Sequence, residues 1–380
     1  MPTLPLGRFK MLDLSRQLPG PFCSTLLADL GMDVLVLTAP RDPFGMGIPF
    51  LARNKRSMTL DLKTPAGRDI FLRLVDDSDV LLEGFRPGVM RRLGFNWDTL
   101  RARNPRLVYC AISGYGQDGP YRDKVGHDVN YLGYAGVLEY CGASDGAPMI
   151  PGVQVADVGA GSLMAAVGIL SALMARDETG RGQLVDIAML DGAAAWNVCH
   201  QTIHWYSDQL PQRGKEQLTG HWPCYHVYET RDGRYVTVGA YEPHFWSTLC
   251  RHFGREDFIP DQFSEPRRDE ILRFFEAAFR TKTMAEWLAE LGGKDICFRP
   301  VLNIEEAYDD PQLRHRGMVL DMETAAGPRR CIGSPIKLSD TPAARRTAPA
   351  TLGQHTDEVL RALGYGAGDI DALRAQGVIA

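Results

Sequence analysis

The first 120 residues alternate short apolar runs with amphipathic segments, and this alternation limits the folds that the chain can adopt. The stretch FKMLDLSRQLPGPFCSTLLADLGMDVLVLTAP predicts a strand, a turn rich in proline and glycine, a helix and a second strand. AGRDIFLRLVDDSDVLLEGF repeats the helix and strand, and RLVYCAISGYG is a further strand ending in glycines. Strands that alternate with helices form parallel βαβ units, so the sequence predicts a doubly wound, mostly parallel, Rossmann-like α/β domain.

A second region of the chain carries a different pattern. The stretch CYHVYETRDGRYVTVGAYE predicts a β-hairpin whose turn contains Asp232 and Gly233. Helical patterns such as DEILRFFEAAFRTKTMAEWLAELG follow it and indicate a small α+β domain. We therefore expect a large α/β domain over residues 1–190, a linker over 191–222 and a small α+β domain over 223–320. Residues 321–380 are expected to form a return linker and C-terminal helices that join the large domain.

Charge and cysteine content argue against several classes of partner. The net charge of −5 gives no overall attraction to nucleic acid or to anionic membranes. The sequence also suggests no apolar run that approaches the roughly 20 residues of a membrane helix. We therefore expect neither a membrane nor a nucleic-acid partner. The 8 cysteines show neither a C-x-x-C pair nor a metal-ligand spacing. They are typical of free thiols in a cytoplasmic protein, and we expect no bound metal.

His127 and Asp128 stand side by side after Gly126, where a helical pattern begins. One interpretation is structural: Asp128 satisfies free amides at the helix start, the commoner role for an aspartate there. The other is proton transfer, because a turn into a helix exposes both side chains beside the positive end of the helix. These residues by themselves leave both interpretations open.

Asp157 lies in VADVGAGS, at the predicted start of a long helix rich in small residues. It too can be interpreted as a helix cap. However, the glycines and alanine that follow it leave room for a ligand to approach the backbone closely. Free amides at such a helix start can stabilise an oxyanion, and an exposed carboxylate beside them suits acid–base or nucleophilic chemistry.

Further charged residues also have two interpretations. Glu242 precedes Pro243 and is either an exposed residue at a helix start or a carboxylate that orients an imidazole. The basic stretches LARNKRSMTLDLKT and EGFRPGVMRRLG either form a solvated surface or meet phosphates at the edge of the sheet. Neither has the spacing of a nucleotide-binding loop, and GYGQDG lacks the G-x-G-x-x-G pattern, so nicotinamide use is not expected.

Nine stretches along the chain carry a shared pattern: LPGPFCSTLLADLGMDVLVL, RNKRSMTLDLK, LLEGFRPGVMRRLG, GYGQDGP, GHDVNYL, VADVGAGSLMAAVGIL, TGRGQLVDIAMLDG, YETRDGRYVTVGAYEPHFW and DDPQLRHRGMV. In this order they resemble the family III CoA-transferase superfamily, most closely its α-methylacyl-CoA racemase branch. The resemblance covers most of the chain. It implies an interlocked homodimer in which the small domain of one subunit closes over the large domain of the other.

The resemblance also implies a ligand and a set of site residues. The ligand is an acyl-CoA thioester, with coenzyme A as part of the substrate and no further cofactor required. Proton transfer falls to His127 and Asp157, with Glu242 of the partner subunit near His127. The residues expected to contact CoA are Leu60, Asp61, Leu62 and Lys63; Gly84, Phe85 and Arg86; Arg92; and Gly126, Asp128, Val129, Asn130 and Tyr131.

Two stretches depart from the racemase pattern. The second strand ends in LTAPRDP, with Ala39 where racemases of the family often carry a basic residue. Whether Arg41 replaces that phosphate contact stays open. The stretch LTGHWPCYHVYE is also unusual for the racemase branch, which leaves the identity of the acyl group open.

The racemase branch implies two-base 1,1-proton transfer at the α-carbon of a 2-methylacyl-CoA, in fatty acid metabolism. His127 would deprotonate one epimer and Asp157 the other, through an enolate whose oxygen is stabilised by backbone amides at residues 157–161. The alternative is CoA transfer from an acyl-CoA to a free carboxylic acid, with Asp157 as the nucleophile. A CoA-binding protein without turnover is the third hypothesis.

Overall fold

The computed structural model describes residues 4–42, 45–324, 327–344 and 347–380. Its main sheet has six parallel strands: β1 (Lys10–Asp13), β2 (Asp33–Thr38), β3 (Lys55–Thr59), β4 (Val80–Glu83), β5 (Val108–Ser113) and β6 (Leu184–Ala188). Their order is β3-β2-β1-β4-β5-β6, so the direction of winding reverses between β1 and β4. This confirms the predicted parallel, Rossmann-like sheet and places its topological switch point beyond the carboxyl ends of β1 and β4.

The remaining strands form two smaller antiparallel sheets. They are β7 (Tyr225–Glu229), β8 (Tyr235–Gly239) and β9 (Phe298–Pro300) in one sheet, and β10 (Val319–Met322) and β11 (Arg329–Ile332) in the other. The pair β7–β8 confirms the predicted hairpin. Its turn contains Gly233 at φ 70°, a left-handed conformation that glycine adopts without strain.

The helices are α1 (Pro19–Asp29), α2 (Pro65–Asp76), α3 (Val89–Leu93), α4 (Trp97–Arg103), α5 (Asp128–Tyr134), the π-helix Val155–Leu163, α6 (Met164–Thr179), α7 (Met189–Ala195), α8 (Val198–Ser207), α9 (Pro243–His252), α10 (Glu265–Phe279), α11 (Met284–Leu291), α12 (Ile304–Asp309), α13 (Pro311–His315), α14 (Thr356–Ala362) and α15 (Ala367–Ala375). Helix α2 shows why such a segment begins where it does. The Thr64 hydroxyl accepts a hydrogen bond from the Gly67 amide (3.1 Å), and Pro65 occupies the first helical position, where no amide donor is needed.

Contacts divide the chain into two units. The first comprises Met1–Ala135, Pro151–Asn197 and Gln312–Ala380, and the second comprises Gly136–Ile150 and Val198–Pro311. In the first, apolar residues of β1–β5 pack with α2 and with the C-terminal helices α14 and α15. In the second, Trp246, Phe275 and Phe279 pack against the β7–β8–β9 sheet.

These boundaries differ from the expected domains in two places. Residues 136–150 group with the second unit because Tyr140 stacks on His200 and Glu139 pairs with Arg213. The expected linker 191–222 contains most of α7 and all of α8, and the division falls after Asn197. Local sequence patterns could not predict these contacts, because the contacts join segments about 60 residues apart or more along the chain.

The expectation about apolar runs needs a correction. The π-helix and α6 together form a segment, Val155–Thr179, that is long and apolar enough to cross a membrane by length and composition. Length and composition alone are weak evidence, because the core helix of a soluble protein meets the same test. The buried residues Ala165, Ile169, Ala172 and Leu173 lie on its inner face, and small residues keep the whole segment apolar.

Candidate active site

A cavity of about 720 Å³ lies at the carboxyl edge of the main sheet, where β1 and β4 diverge. Three segments supply most of its wall: the turn after β1, the turn after β4, and the loop that leads into α5. Ligands of open α/β sheets bind at this topological position. The cavity is therefore the candidate active site of the first unit.

A buried polar network holds the turn between β1 and α1. The Asp13 carboxylate accepts hydrogen bonds from the Ser15 amide (2.9 Å) and from the Ser24 hydroxyl. The Lys55 ammonium donates to the Pro21 carbonyl (2.9 Å) and to the Ser24 hydroxyl (2.7 Å). Burial lowers the pKa of Lys55 to about 8, and the Asp13 charge partly opposes this. The network holds the turn in place, because each of these buried polar groups has a hydrogen-bond partner.

The sequence analysis missed several residues of the cavity wall, among them the polar residues Arg16, Gln17, Arg122 and Lys124. Gln17 has φ 64°, a left-handed conformation that is uncommon for residues other than glycine and often found at functional sites. The available signal was the turn between the first strand and the first helix, because this turn reaches the switch point of a doubly wound sheet. The basic residues give the rim of the cavity a local positive charge.

The turn after β4 is held by the buried Glu83 carboxylate. It accepts a 2.7 Å hydrogen bond from the Phe85 amide, and Tyr109 Oη lies 3.4 Å from its other oxygen. Burial raises the pKa of Glu83 to about 7, against the lowering effect of both hydrogen bonds. The residues after it, Gly84–Arg86, which the resemblance implies as CoA contacts, line the cavity.

His127 lies on the cavity wall directly before α5. Its amide donates to Oδ1 of Asn130 (3.0 Å), and the Tyr131 hydroxyl donates to the Gly126 carbonyl (2.6 Å). A side chain at Gly126 would meet the Tyr131 ring at 2.8 Å and the Tyr115 hydroxyl at 2.9 Å. Glycine therefore allows the close turn at this position. The turn places the exposed residue His127 on the cavity wall.

Asp128 does not cap its own helix; it binds the backbone at Asp157. Its Oδ1 accepts a 2.9 Å hydrogen bond from the Asp157 amide. The Asp157 carboxyl is half-buried, and this burial, followed by the Asp128 charge, raises its pKa from 3.8 to about 6. The nearby His127 lowers that pKa. The fold thus brings the neighbourhoods of His127 and Asp157 together, although Asp157 is not part of the cavity wall described above.

The backbone around Asp157 differs from the expectation. The π-helix begins at Val155, two residues before Asp157, so Asp157 lies in its first turn. The amide of Asp157 is taken by Asp128, and the amide of Val158 donates to the Gln154 carbonyl (3.0 Å). These two donors, expected to stabilise an enolate, are therefore engaged. A π-helix is rare and is found frequently at functional sites.

The remaining expected residues are distributed as follows. Gly126, Asn130 and Tyr131 line the cavity with His127. Leu60 is buried in the apolar core, and its neighbours Asp61, Leu62 and Lys63 do not line the cavity, nor do Arg92, Asp128 and Val129. Glu242 lies in the second unit, exposed, at the residue before α9. Burial raises the pKa of the Cys297 thiol, and the Glu242 charge raises it further. Arg41 is exposed after β2.

Comparison with known proteins places the chain in one family. The model of CoA-transferase family III matches residues 6–356. The chain belongs to CoA-transferase family III. It is 36% identical to a human protein named alpha-methylacyl-CoA racemase, over 98% of this chain and 97% of that protein. It is 33% identical to a formyl-CoA:oxalate CoA-transferase of Rhodopseudomonas palustris, over 100% of this chain and 98% of that protein.

Comparison with solved structures supports the same family assignment. A CAIB/BAIF family protein from Brucella suis superimposes with a TM-score of 0.82 at 27% identity, over 96% of this chain and 100% of that one. The protein is thus an enzyme of the superfamily that unites family III CoA-transferases and acyl-CoA racemases. Among the residues that the structure describes, no group of three or more His, Cys, Asp or Glu side chains could hold a metal ion.

Proposed function

We propose that this enzyme is an acyl-CoA racemase or epimerase that inverts the α-carbon of a 2-methylacyl-CoA by two-base proton transfer. The observation that carries the proposal is that the Asp128–Asp157 hydrogen bond brings a half-buried Asp157, whose pKa is raised to about 6, near the exposed His127 on the cavity wall. Similarity to racemases over nearly the whole chain supports it.

The raised pKa of Asp157 suits a reaction that must run in both directions. One base removes the α-proton from one face of the thioester, the electron pair moves onto the thioester oxygen, and the other group returns a proton to the opposite face. An ordinary aspartate, with a pKa of about 3.9, is a much weaker base than a histidine, whose ordinary value is about 6.5. At about 6, the pKa of Asp157 lies closer to the ordinary value of a histidine than to that of an aspartate, which makes Asp157 a stronger base.

The proposal assigns the CoA part of the substrate to this cavity. Arg16, Arg86, Arg122 and Lys124 line it, and their positive charge would attract the phosphates although the chain is acidic overall. The volume of about 720 Å³ is within the range typical of ligand sites, about 300–1,000 Å³. The proposed reaction requires no cofactor beyond the thioester itself.

The proposal includes an interlocked homodimer. Helix α6 leaves Val167 57% exposed and Met174 74% exposed, and α8 has no buried residue. Apolar surface of this kind is typical of a protein interface. In the proposed dimer, Glu242 of the partner subunit lies near His127 and orients its imidazole. A cytoplasmic location remains a prediction.

The runner-up function is CoA transfer with Asp157 as the nucleophile. The similarity to formyl-CoA:oxalate CoA-transferases favours it, because this likeness also spans the whole chain. A transferase needs a free carboxylic acid as acceptor and forms covalent intermediates on the carboxylate. It does not need a second base at His127.

One incubation separates the two functions. The enzyme is given a 2-methylacyl-CoA in D₂O, with and without a free carboxylic acid. A racemase incorporates deuterium at the α-carbon without the acid. A transferase exchanges the thioester only when the acid is present, and hydroxylamine traps its acyl-enzyme. CoA binding with neither reaction would reject both functions.

A further inference from the structure

Strand β4 ends in a buried acidic residue. Val80, Leu81 and Leu82 are fully buried in the sheet, and Glu83 follows them with only 4% of its surface exposed. Removing a carboxyl group from water costs free energy unless protein groups hydrogen-bond to it, and an apolar residue would end the strand without that cost. Stability of the sheet therefore does not account for an acid here, and the partners of its oxygens indicate its role.

The two carboxyl oxygens of Glu83 have partners of different kinds. Oε2 accepts a 2.7 Å hydrogen bond from the Phe85 amide, and Oε1 lies 3.4 Å from the Tyr109 hydroxyl. Phe85 belongs to the turn after β4 that lines the cavity, whereas Tyr109 lies on the neighbouring strand β5 and not on the cavity wall. The shorter of the two bonds thus joins the buried acid to the cavity-lining turn.

Phe85 stands beside two basic residues of the cavity wall. Arg86 follows it directly in the chain, and the guanidinium group of Arg16 lies over its ring, 5.5 Å from the ring centre. Arg16 also pairs with Asp42 at 2.8 Å. Among the residues that the structure describes, Arg86 has no ion-pair partner, so its charge is available to a bound anion. The position of Phe85 therefore affects both guanidinium groups.

The other two cations of the wall are held independently of this turn. Arg122 donates to the Gln117 carbonyl (3.0 Å), and Lys124 donates to the Tyr134 hydroxyl (3.2 Å). Loss of the bond between Glu83 and the Phe85 amide should therefore weaken only part of the positive charge that faces a ligand. We expect a partial loss of anion binding rather than a complete one.

We propose that Glu83 is a positioning residue for the CoA part of the substrate: its carboxyl group fixes the Phe85 backbone and thereby aligns Arg16 and Arg86 with the phosphates. The inference rests on the proposed function, which assigns CoA to this cavity. In this role Glu83 touches no substrate and takes no part in proton transfer. Binding of CoA depends on it, whereas the chemical step at the α-carbon does not.

Three substitutions separate this role from general support of the core. Glu83→Met leaves the Phe85 amide without its acceptor, at a similar side-chain length. Glu83→Gln keeps an oxygen for that amide and should retain most of the affinity for CoA. Tyr109→Phe is the matched control, because it removes the other partner of the same carboxyl group and leaves the turn bonded. A loss caused by disturbed packing should appear in Tyr109→Phe as well.

Calorimetric titration with coenzyme A at pH 8 measures the effect, since Glu83, with a pKa of about 7, is mainly ionised there. Glu83→Met should bind CoA about tenfold more weakly, the equivalent of one hydrogen bond to a charged group. Because Arg16 and Arg86 act on the phosphates through charge, the difference from the wild type should shrink at high salt. In α-deuterium exchange, KM for the acyl-CoA should rise while kcat stays unchanged.

Phe85→Leu provides a second test should Glu83→Met not fold. It leaves the Phe85 amide in place but removes the ring beneath Arg16, so it should also weaken CoA binding. Wild-type affinity in a folded Glu83→Met or Phe85→Leu protein, or an equal loss in Tyr109→Phe, would overturn the inference alone. A wild-type enzyme that binds CoA but exchanges no α-proton would overturn the proposed racemase and leave this role of Glu83 standing. A wild type that does not bind CoA would overturn both.

Discussion

The Asp157 amide donates a 2.9 Å hydrogen bond to Oδ1 of Asp128, although 29 residues separate the two. Asp128 is the direct neighbour of His127 in the chain. This bond therefore ties the backbone of one proposed base to the residue beside the other. It also places a charge where it raises the pKa of Asp157.

Removal of the Asp128 charge should change the pH dependence of the reaction. Asn at position 128 can still accept the Asp157 amide, but it no longer opposes ionisation of the Asp157 carboxyl. We expect Asp128→Asn to lower the pKa of Asp157, so the acid limb for the epimer that it deprotonates moves to lower pH. The measurement is kcat/KM for α-deuterium exchange between pH 4 and 9. An unmoved limb would show that the Asp128 charge does not act on Asp157.

Asp128→Ala should instead destabilise the fold. It leaves the Asp157 amide without its acceptor, and an unsatisfied buried group costs about 1–3 kcal/mol. We expect a corresponding loss of unfolding free energy in urea, with a smaller loss for Asp128→Asn. Equal stability of the two variants would argue that water replaces the carboxylate.

Asp157→Asn should make the protein more stable at neutral pH. The pKa of the native carboxyl is about 6, above its ordinary 3.8, so the native state binds more protons than the unfolded state between these values. Stability from this group is complete below pH 4 and is lost as the pH rises through 6. Asparagine has no such pH dependence. The melting temperature of the variant should therefore exceed that of the wild type at pH 8, and the gap should shrink towards pH 4; a gap independent of pH would contradict the burial of this charge.

Gly126 and Gly133 form a matched pair for testing the turn before α5. Gly126→Ala would push a methyl group into Tyr131 and Tyr115, whereas at Gly133 there is nothing within 4 Å. We expect Gly126→Ala to cost about 1–3 kcal/mol of stability and to reduce activity by displacing His127. Gly133→Ala should be neutral or stabilising by up to about 1 kcal/mol, because alanine favours a helix. Similar losses in both variants would show that the contacts of Gly126 are unimportant.

Charge on the exposed side of α6 should weaken the proposed dimer. Met174→Glu places a carboxylate on a residue that is 74% exposed in the single chain and would be covered in the dimer. We expect sedimentation to show more monomer, with loss of activity if Glu242 of the partner subunit is needed. Ala102→Glu adds the same charge at an exposed position of α4 and should leave assembly unchanged. A Met174→Glu protein that remains dimeric would exclude this surface from the interface.

The sequence predicted much of the fold because its signals are local. Alternating apolar segments predicted the parallel sheet, Asp232 and Gly233 predicted the hairpin turn, and Gly126–His127 predicted an exposed imidazole. The bond between Asp128 and Asp157 could not be predicted, since it depends on which segments the tertiary fold brings together. For the same reason, capping was one of the two interpretations left open at both aspartates.

The helix around Asp157 shows a second limit. Its glycines and alanine gave no signal for a π-helix, because its wider turn depends on packing against α1 and α7. Gly192, for example, lies so close to Ala160 that a side chain there would meet its Cβ at 2.6 Å. Such contacts join residues that are distant in sequence, and no periodicity reports them.

Removal of each base in turn tests most directly whether two different bases act on opposite faces of one carbon. In D₂O, Asp157→Asn should still exchange the α-proton of the epimer that faces His127, and His127→Gln should still exchange that of the other epimer. Each variant should be slowed by about 10²–10⁴ on the epimer whose base it lacks. If both variants lose exchange from the same epimer, or if His127→Gln racemises at the wild-type rate, the two-base account is wrong.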